Sequence, residues 1–361
     1  LTNIISIATA VPDHCHKQDD ILLFMQEVYQ LDEIEKRKLK FQYHQSGIEQ
    51  RFSVLPDFSI RKGSDSFFSR ETKTKNPGLE DRLKIYDKES SDLSVKAIQD
   101  CIRGFIAPQD ITHLITVSCT GMSAPGLDLQ LAEKMGMRND IFRTSVNFMG
   151  CYAAIHALKI ADMIAKSNPE ANIIIVAVEL CTLHFQTDLS ADNAASSLLF
   201  ADGCAAVLIS NTIAVQKRIV VDSFFSRIAT EGKSDMTWEI GANGFQMRLS
   251  GYIPQLIEAD IETLVTDVLE KAGIGKESVH QWCVHPGGKR ILDAIERKLN
   301  LPTNALDFSR NVLKNYGNMS SPTILFVLKD MFENNYVSQD NMIGMAFGPG
   351  LTMETFTAHF K

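Results

Sequence analysis

One cysteine stands in the run Asn147-Phe-Met-Gly150-Cys151-Tyr-Ala-Ala, directly after a glycine. It opens a segment, Cys151 to about Lys166 (CYAAIHALKIADMIAK), that is apolar almost all round. The pattern predicts a buried helix with a thiol at its head. A helix N-terminus carries partial positive charge and favours thiolate over thiol. Such a group becomes a nucleophile if a base and donors for developing oxyanion charge lie nearby. Two later segments offer both: Trp282-Cys-Val-His285-Pro-Gly-Gly288 and Asn315-Tyr-Gly-Asn318-Met-Ser-Ser321. Each residue alone has a plainer reading. Free cysteine is among the most buried residue types, and asparagine is an ordinary turn or capping residue. His285 is ambiguous too, although Pro-Gly-Gly after it marks a constrained loop at a strand end, where function concentrates. Taken together, the contexts point to a Cys/His/Asn site for condensing acyl groups.

The elements that must position these residues alternate in an α/β pattern. Ile111 to Ser118 and Ile173 to Leu180 read as buried strands, and Ala205 to Ile209 as a strand after a turn at Asp202-Gly203. Leu127 to Met135 and Pro322 to Phe332 read as helices. A weak internal repeat is visible. Val117-Ser-Cys-Thr-Gly121 and Cys283-Val-His-Pro-Gly-Gly288 are strands ending in small-residue loops, and each precedes a sharp turn and an apolar helix. Two copies of one α/β unit would bring both helix heads to the centre of the molecule. The halves are taken as 1–215, carrying the nucleophile, and 216–361, carrying His285 and Asn318. The segment from about Leu55 to Pro77 is polar without a clear period and reads as a loop or elaboration.

Bulk properties exclude several classes. The net charge of −8 argues against a general nucleic-acid surface. No apolar run approaches the ~20 residues of a membrane span. Leu1 to Ala8 lacks a charged leading region and reads as a strand, not a signal peptide. The seven dispersed cysteines are odd in number and fit a reducing, cytoplasmic setting better than a disulfide framework. No zinc-type cysteine or histidine spacing, dinucleotide fingerprint or P-loop is present, so neither metal nor redox cofactor is expected.

The motifs above, with Leu199-Phe200-Ala-Asp202-Gly203 and Phe347-Gly-Pro-Gly-Leu-Thr-Met-Glu354-Thr, occur in one order over nearly the whole chain. In this the chain resembles the type III polyketide synthases, the chalcone synthase-like branch of the thiolase superfamily. The resemblance implies a five-layered αβαβα fold of two duplicated halves, a homodimer, and a buried cavity reached through a coenzyme A tunnel. It implies that Cys151 takes an acyl group from an acyl-CoA, paired as thiolate with His285. His285 and Asn318 would hold the thioester oxygen of malonyl-CoA while it decarboxylates to an enolate. It further implies that Phe200 is a gatekeeper between tunnel and cavity, that Gly348 and Pro349 shape the wall near the nucleophile, and that Ser320 lines the cavity. Lys36, Arg37, Lys38, Lys40, Gly287 and Gly288 would serve the coenzyme A.

Departures from the plant pattern narrow the expectation. Met247 stands in place of a second gatekeeping phenylalanine, and Trp238 in place of a small glycine of the cavity floor. Phe41 and Gln45 fall where basic residues are usual. Thr120, Ala124 and Cys181 resemble the bacterial alkylpyrone and alkylresorcinol synthases, in which these positions line an apolar tunnel for a fatty acyl chain. The expected function is therefore extension of a medium- or long-chain acyl-CoA by malonyl-CoA units to an alkylpyrone or alkylresorcinol. An initiating-type ketoacyl synthase would instead need an acyl carrier protein. A silent thiolase-fold partner subunit would typically lack the cysteine.

Overall fold

β-Branched and small apolar residues dominate the segments that become central strands, because strands covered on both faces must be apolar throughout. The computed structural model describes residues 2–59, 66–68, 76–334 and 337–361. Among these, the strands are β1 (Thr2–Ala10), β2 (His14–Lys17), β3 (Gln50–Ser53), β4 (His113–Ser118), β5 (Phe142–Asn147), β6 (Asn172–Leu180), β7 (Asp202–Ser210), β8 (Ile219–Ile228), β9 (Met236–Gly241), β10 (Gly244–Leu249), β11 (Val279–Val284), β12 (Asn341–Gly348) and β13 (Thr352–Phe360). The α-helices are α1 (Gln18–Val28), α2 (Glu33–His44), α3 (Leu79–Ile102), α4 (Leu127–Lys134), α5 (Ala153–Ser167), α6 (Ala191–Leu199), α7 (Ile253–Ala272), α8 (Lys289–Lys298), α9 (Asp307–Tyr316) and α10 (Thr323–Asn334).

The central sheet runs β11-β12-β13-β8-β1-β7-β6-β4-β5, and β2–β3 and β9–β10 form separate pairs. Its order contains the duplication. In the first half β4 is parallel to β5 and β6, β6 is antiparallel to β7, and β7 is antiparallel to β1. In the second half β11 is parallel to β12, β12 is antiparallel to β13, and β13 is antiparallel to β8. The copies join where Thr2–Ile4 of β1 pair with Ile219–Val221 of β8. Among the described residues the second half has no counterpart of β5, and α9 occupies that place in its chain order.

Alternation along the strands sorts side chains into three cores. Ile115, Val117, Ile173 and Ile175 of the first half and Met342, Ala346 and Phe356 of the second share one core with α5 and α10. Leu114, Ile174 and Val176 face the opposite way, onto Leu93, Ala97 and Ile98 of α3. Ile343, Met345 and Met353 pack on Ile257, Ile261 and Leu264 of α7. The layers are therefore α3, first half-sheet, α5 with α10, second half-sheet, α7: the αβαβα order. No helix of the described residues is long and apolar enough to cross a membrane.

Two local expectations are corrected. The helix expected from Cys151 begins at Ala153, after a 3₁₀ turn over Gly150–Tyr152. Asp202-Gly203 is not a turn but the start of β7. The Asp202 carboxylate is buried and accepts from Val54 N, Thr182 N and Thr182 Oγ1, which satisfies it inside the sheet. Within the expected loop 55–77 the described part holds a 3₁₀ turn, Asp57–Ser59. Residues 60–65 and 69–75 of that loop lie outside the described residues.

Candidate active site

Gly150, Gly348 and Pro349 explain how the nucleophile turn is fixed. Gly150 has φ +74°, and a Cβ there would meet Pro349 Cδ at 2.2 Å. A Cβ on Gly348 would meet Tyr152 Cδ1 at 2.6 Å and Cys151 N at 3.3 Å. Only glycines permit the second half's loop to lie this close against Cys151; Pro349 lines the cavity, and Gly348, expected to shape its wall, does not. The Gly150 N–H also donates to Cys119 Sγ at 3.0 Å.

His285 follows β11, and its N–H donates to Met345 O at 2.9 Å. Asn318 sits between α9 and α10. Its N–H donates to Leu199 O at 2.9 Å, and its carbonyl accepts from Ala201 N at 3.0 Å. This bridge ties Asn318 to Phe200. Arg51 is buried beneath and donates from Nη1 to the Phe200 carbonyl at 2.6 Å. The Asn318 Oδ1 accepts from Ser320 N at 2.8 Å, and its Nδ2 donates to Gly287 O at 3.3 Å. Ser320 adopts φ +60°, an uncommon conformation for a residue with a side chain. Its hydroxyl takes the Cys151 Sγ–H at 3.7 Å.

Cys151, His285 and Asn318 are all buried and line one cavity of about 690 Å³. Burial decides the protonation of the first two, because a lone charge away from water is costly. It pushes the Cys151 thiol up to about 11, against which the Ser320 and Asn318 hydrogen bonds act weakly. It pushes the His285 imidazole down to about 3, and neither ring nitrogen has a hydrogen-bond partner among the described residues. The expectation of a thiol lowered by a helix terminus is thus corrected. The 3₁₀ turn holds Cys151 ahead of α5, and burial favours the thiol and the neutral imidazole over either charge alone. Two opposite charges formed together in such a site cost less than either alone.

The other expected residues divide. Phe200, Met247, Ser320, Pro349, Thr120, Cys181, Gly287 and Gly288 line the cavity. Trp238 also lines it, opposite Met247 in the β9–β10 pair, and donates from Nε1 to Cys119 O at 2.7 Å. Ala124 does not. It lies on the exposed loop after β4 and is no part of the wall. The Thr120 hydroxyl is engaged, donating to Glu179 at 2.8 Å and accepting from Leu180 N at 2.9 Å. Lys36, Arg37, Lys38 and Lys40 are also absent from the wall, and Lys36 pairs with Glu33 at 2.8 Å. The face of α2 that reaches the rim carries Phe41, Gln42 and Gln45 instead.

Two features escaped the sequence reading. Glu179 is fully buried and accepts from Cys119 N, Thr120 Oγ1 and Ser321 Oγ at 2.9, 2.8 and 2.7 Å, bridging the halves behind the nucleophile. Burial raises its carboxyl to about 7, which the donors only partly oppose. An acid inside the run Ile173-Ile-Ile-Val-Ala-Val-Glu179 was the available signal. His184 stacks on Phe245 at 4.1 Å; its Nε2–H donates to Thr120 O, and its Nδ1 accepts from Phe245 N. Nothing local marks it.

Comparison with known proteins decides the family. The family model described as chalcone and stilbene synthases, N-terminal domain, matches residues 1–212, and its C-terminal counterpart matches residues 222–360. The chain belongs to the chalcone and stilbene synthase family. It is a type III polyketide synthase, an acyl-transferring condensing enzyme. Type III polyketide synthase A of Arabidopsis thaliana is 30% identical, with 97% of this chain and 91% of that protein covered. The alpha-pyrone synthesis polyketide synthase-like Pks18 of Mycobacterium tuberculosis is 28% identical, with 96% and 88% covered. Among solved structures, the C-terminal type III polyketide synthase domain of Steely1 from Dictyostelium superposes with TM-score 0.91 at 27% identity, covering 99% of each chain. PKS-I of the brown alga Ectocarpus siliculosus superposes with TM-score 0.90 at 28% identity, covering 99% of this chain and 98% of that one.

Proposed function

We propose that this synthase loads a medium- or long-chain acyl group from acyl-CoA onto Cys151, extends it with malonyl-CoA, and releases an alkylpyrone or, after one more extension and aldol closure, an alkylresorcinol. His285 takes the Cys151 proton; the thiolate attacks the starter thioester carbonyl, the acyl–sulfur bond to coenzyme A breaks, and coenzyme A leaves as its thiolate, which solvent protonates. His285 and Asn318 Nδ2 then donate to the malonyl thioester oxygen. Carbon dioxide leaves, and the enolate attacks the acyl-Cys151 carbonyl, returning the thiol for reloading. Each step uses side chains of this chain alone.

The observation carrying this reading is the cavity. Its buried end holds all three proposed catalytic residues, and Met25, Phe58, Phe185 and Ala194 give it apolar wall. Each CH₂ placed against such a surface contributes about 0.8 kcal/mol. The acyl chain is therefore assigned to this wall and not to Ala124. A second copy of the chain is proposed as partner, supported by the exposed edge strand β5, with Phe142 69% accessible. A reducing, cytoplasmic setting is supported by the free state of all seven cysteines. Mass spectrometry of products from acetyl- to octadecanoyl-CoA, each with malonyl-CoA and without carrier protein, tests the assignment. Products confined to acetyl or aromatic starters would overturn it.

A further inference from the structure

Arg51 stands on β3, is 4% exposed and lines the cavity, yet it makes its hydrogen bonds to neutral acceptors. Nε donates to Gln18 Oε1 at 3.0 Å, and Nη1 to the Phe200 carbonyl at 2.6 Å. Burial pushes its guanidinium below the ordinary range, and Tyr43 and Asp202 only partly oppose this. A cation kept in the interior at such a cost needs a reason. The end of α6 supplies one. A helix leaves its last carbonyls without intrahelical donors, and its C-terminus is partly negative. Here the carbonyls are met from outside the helix: Ser197 by Tyr43 Oη at 3.2 Å, Leu198 by Gln18 Nε2 at 3.0 Å, Leu199 by Asn318 N at 2.9 Å, and Phe200 by Arg51. The segment returns one bond, from Ala201 N to Asn318 O at 3.0 Å. The stem of Arg51 lies against the other side of this bridge. A Cβ on Gly317 would meet Arg51 Cδ and Cγ, both at 2.8 Å, and Leu199 O at 3.0 Å. One side chain of the first half therefore supports both Phe200 and the residue next to Asn318.

We propose that Arg51 is a positioning residue of the condensing site: by holding the Phe200 carbonyl and packing under Gly317, it fixes where Asn318 presents Nδ2 to the malonyl thioester oxygen. The inference rests on the proposed role of Asn318 in forming the enolate. The backbone N–H and carbonyl of Asn318 both bond to the segment Leu199–Ala201, so a shift of that segment moves the amide. Misplacing a reacting group's partner by about 1 Å can cost about 10² in rate. Cys151 is held differently, by Gly150, Pro349 and Ser320, none of which Arg51 bonds. Loading of Cys151 and decarboxylation of malonyl-CoA therefore depend on Arg51 to different degrees.

The test measures carbon dioxide release from malonyl-CoA with no starter present, and acylation of Cys151 by acyl-CoA, in Arg51→Gln, Asn318→Ala and the double variant. Arg51→Gln should slow carbon dioxide release about 10–10²-fold and leave the acylation rate within about threefold. The double variant should be no more than about twofold slower than Asn318→Ala, because both changes act on one donor. Arg51→Lys keeps a charge and a donor for the Phe200 carbonyl but not the planar fork, and should recover part of the loss. Gln18→Ala leaves Arg51 in place but frees its Nε and the Leu198 carbonyl. It should show the same split at smaller size, and it carries the test if Arg51→Gln does not fold. Equal losses of loading and decarboxylation would make Arg51 a structural residue only and overturn the proposal, as would losses that multiply in the double variant. Slow decarboxylation in Asn318→Ala with parent rates in Arg51→Gln and Gln18→Ala overturns this inference alone. Parent rates in Asn318→Ala overturn the enolate role of Asn318 and this inference with it.

Discussion

The two halves of this molecule repeat one strand order, yet each supplies a different kind of chemistry. In the first, β5 leads through a 3₁₀ turn into α5 and delivers a thiol. In the second, α9 stands in place of such a strand and leads through Asn318 into α10, delivering an amide and no nucleophile. Duplication accounts for where the chemistry sits, because α5 and α10 share the central core. It does not account for the asymmetry. That arises from what precedes each helix: Gly150 and Cys151 on one side, and on the other Gly317 (φ +70°), which could not take a Cβ without meeting Arg51 Cδ at 2.8 Å.

The largest expected effect separates the halves directly. Cys151→Ala should abolish both acyl loading and condensation. The neighbouring Cys119 thiol is raised well above its ordinary range by burial and already accepts from Gly150 N, so it is no substitute. Asn318→Ala removes one donor from the proposed enolate site and should slow condensation by about 10²–10³. It should still acylate Cys151, as read by intact-protein mass spectrometry after exposure to acyl-CoA. Equal loss of loading in both variants would break the division of labour between the halves.

Next in size is the dependence of the first half on the second for its thiolate. Burial first, and then the Glu179 charge, hold the Cys151 thiol up at about 11 against the Ser320 and Asn318 hydrogen bonds. His285→Ala leaves those influences in place and removes the proton acceptor, so iodoacetamide inactivation of the variant should have its midpoint well above the ~8.5 of a free thiol. The parent should react with a midpoint at least one pH unit lower, since imidazole accepts the proton and the resulting cation attracts the thiolate. Coincident profiles would show that His285 takes no part in activating Cys151.

These contrasts explain what could be read from the sequence. Cys151, His285 and Asn318 were legible because each adjoins a glycine-bearing loop at the end of an apolar element, a local pattern that survives folding. The αβαβα layering was legible from strands apolar on both faces and the repeated strand-loop-turn-helix order. The start of the helix at Ala153 instead of Cys151 was not, because the packing of Pro349 on Gly150 sets it from the other half. In α2 Leu39 and Tyr43 turn inward and the cations of its basic run stay outside the cavity wall.

A smaller effect concerns the bridge between halves. Glu179 accepts from Thr120 in the first and Ser321 in the second, and its folded pKa is raised from 4.5 to about 7. A raised carboxyl binds its proton more tightly in the folded chain than in the unfolded one. Its contribution to stability is therefore fully present below pH 4.5 and lost as pH rises through about 7. Thermal unfolding followed across that window should show Tm of the parent falling relative to Glu179→Gln, whose amide cannot ionise. A constant difference between the two would mean that Glu179 keeps one charge state throughout.

The smallest expected effect is at Ala124, and it tests the comparison where resemblance and geometry disagree. The resemblance puts this residue in a fatty acyl tunnel, where methionine would fill space the chain needs. Overpacking a close-packed channel costs about 1–3 kcal/mol, enough to shift long- against short-starter preference by one order of magnitude or more. Ala124 lies instead on the exposed loop after β4 and borders no part of the cavity. Ala124→Met then adds its side chain toward solvent, where substitutions usually stay within about 0.5 kcal/mol. The ratio of kcat/KM for dodecanoyl-CoA to that for butanoyl-CoA should change by less than about threefold. A sharp loss confined to dodecanoyl-CoA would require Ala124 to reach an acyl chain after all. Since it meets none within its own protomer, that result would put the loop at the cavity of a second copy, and the starter pocket would be a shared property of two chains.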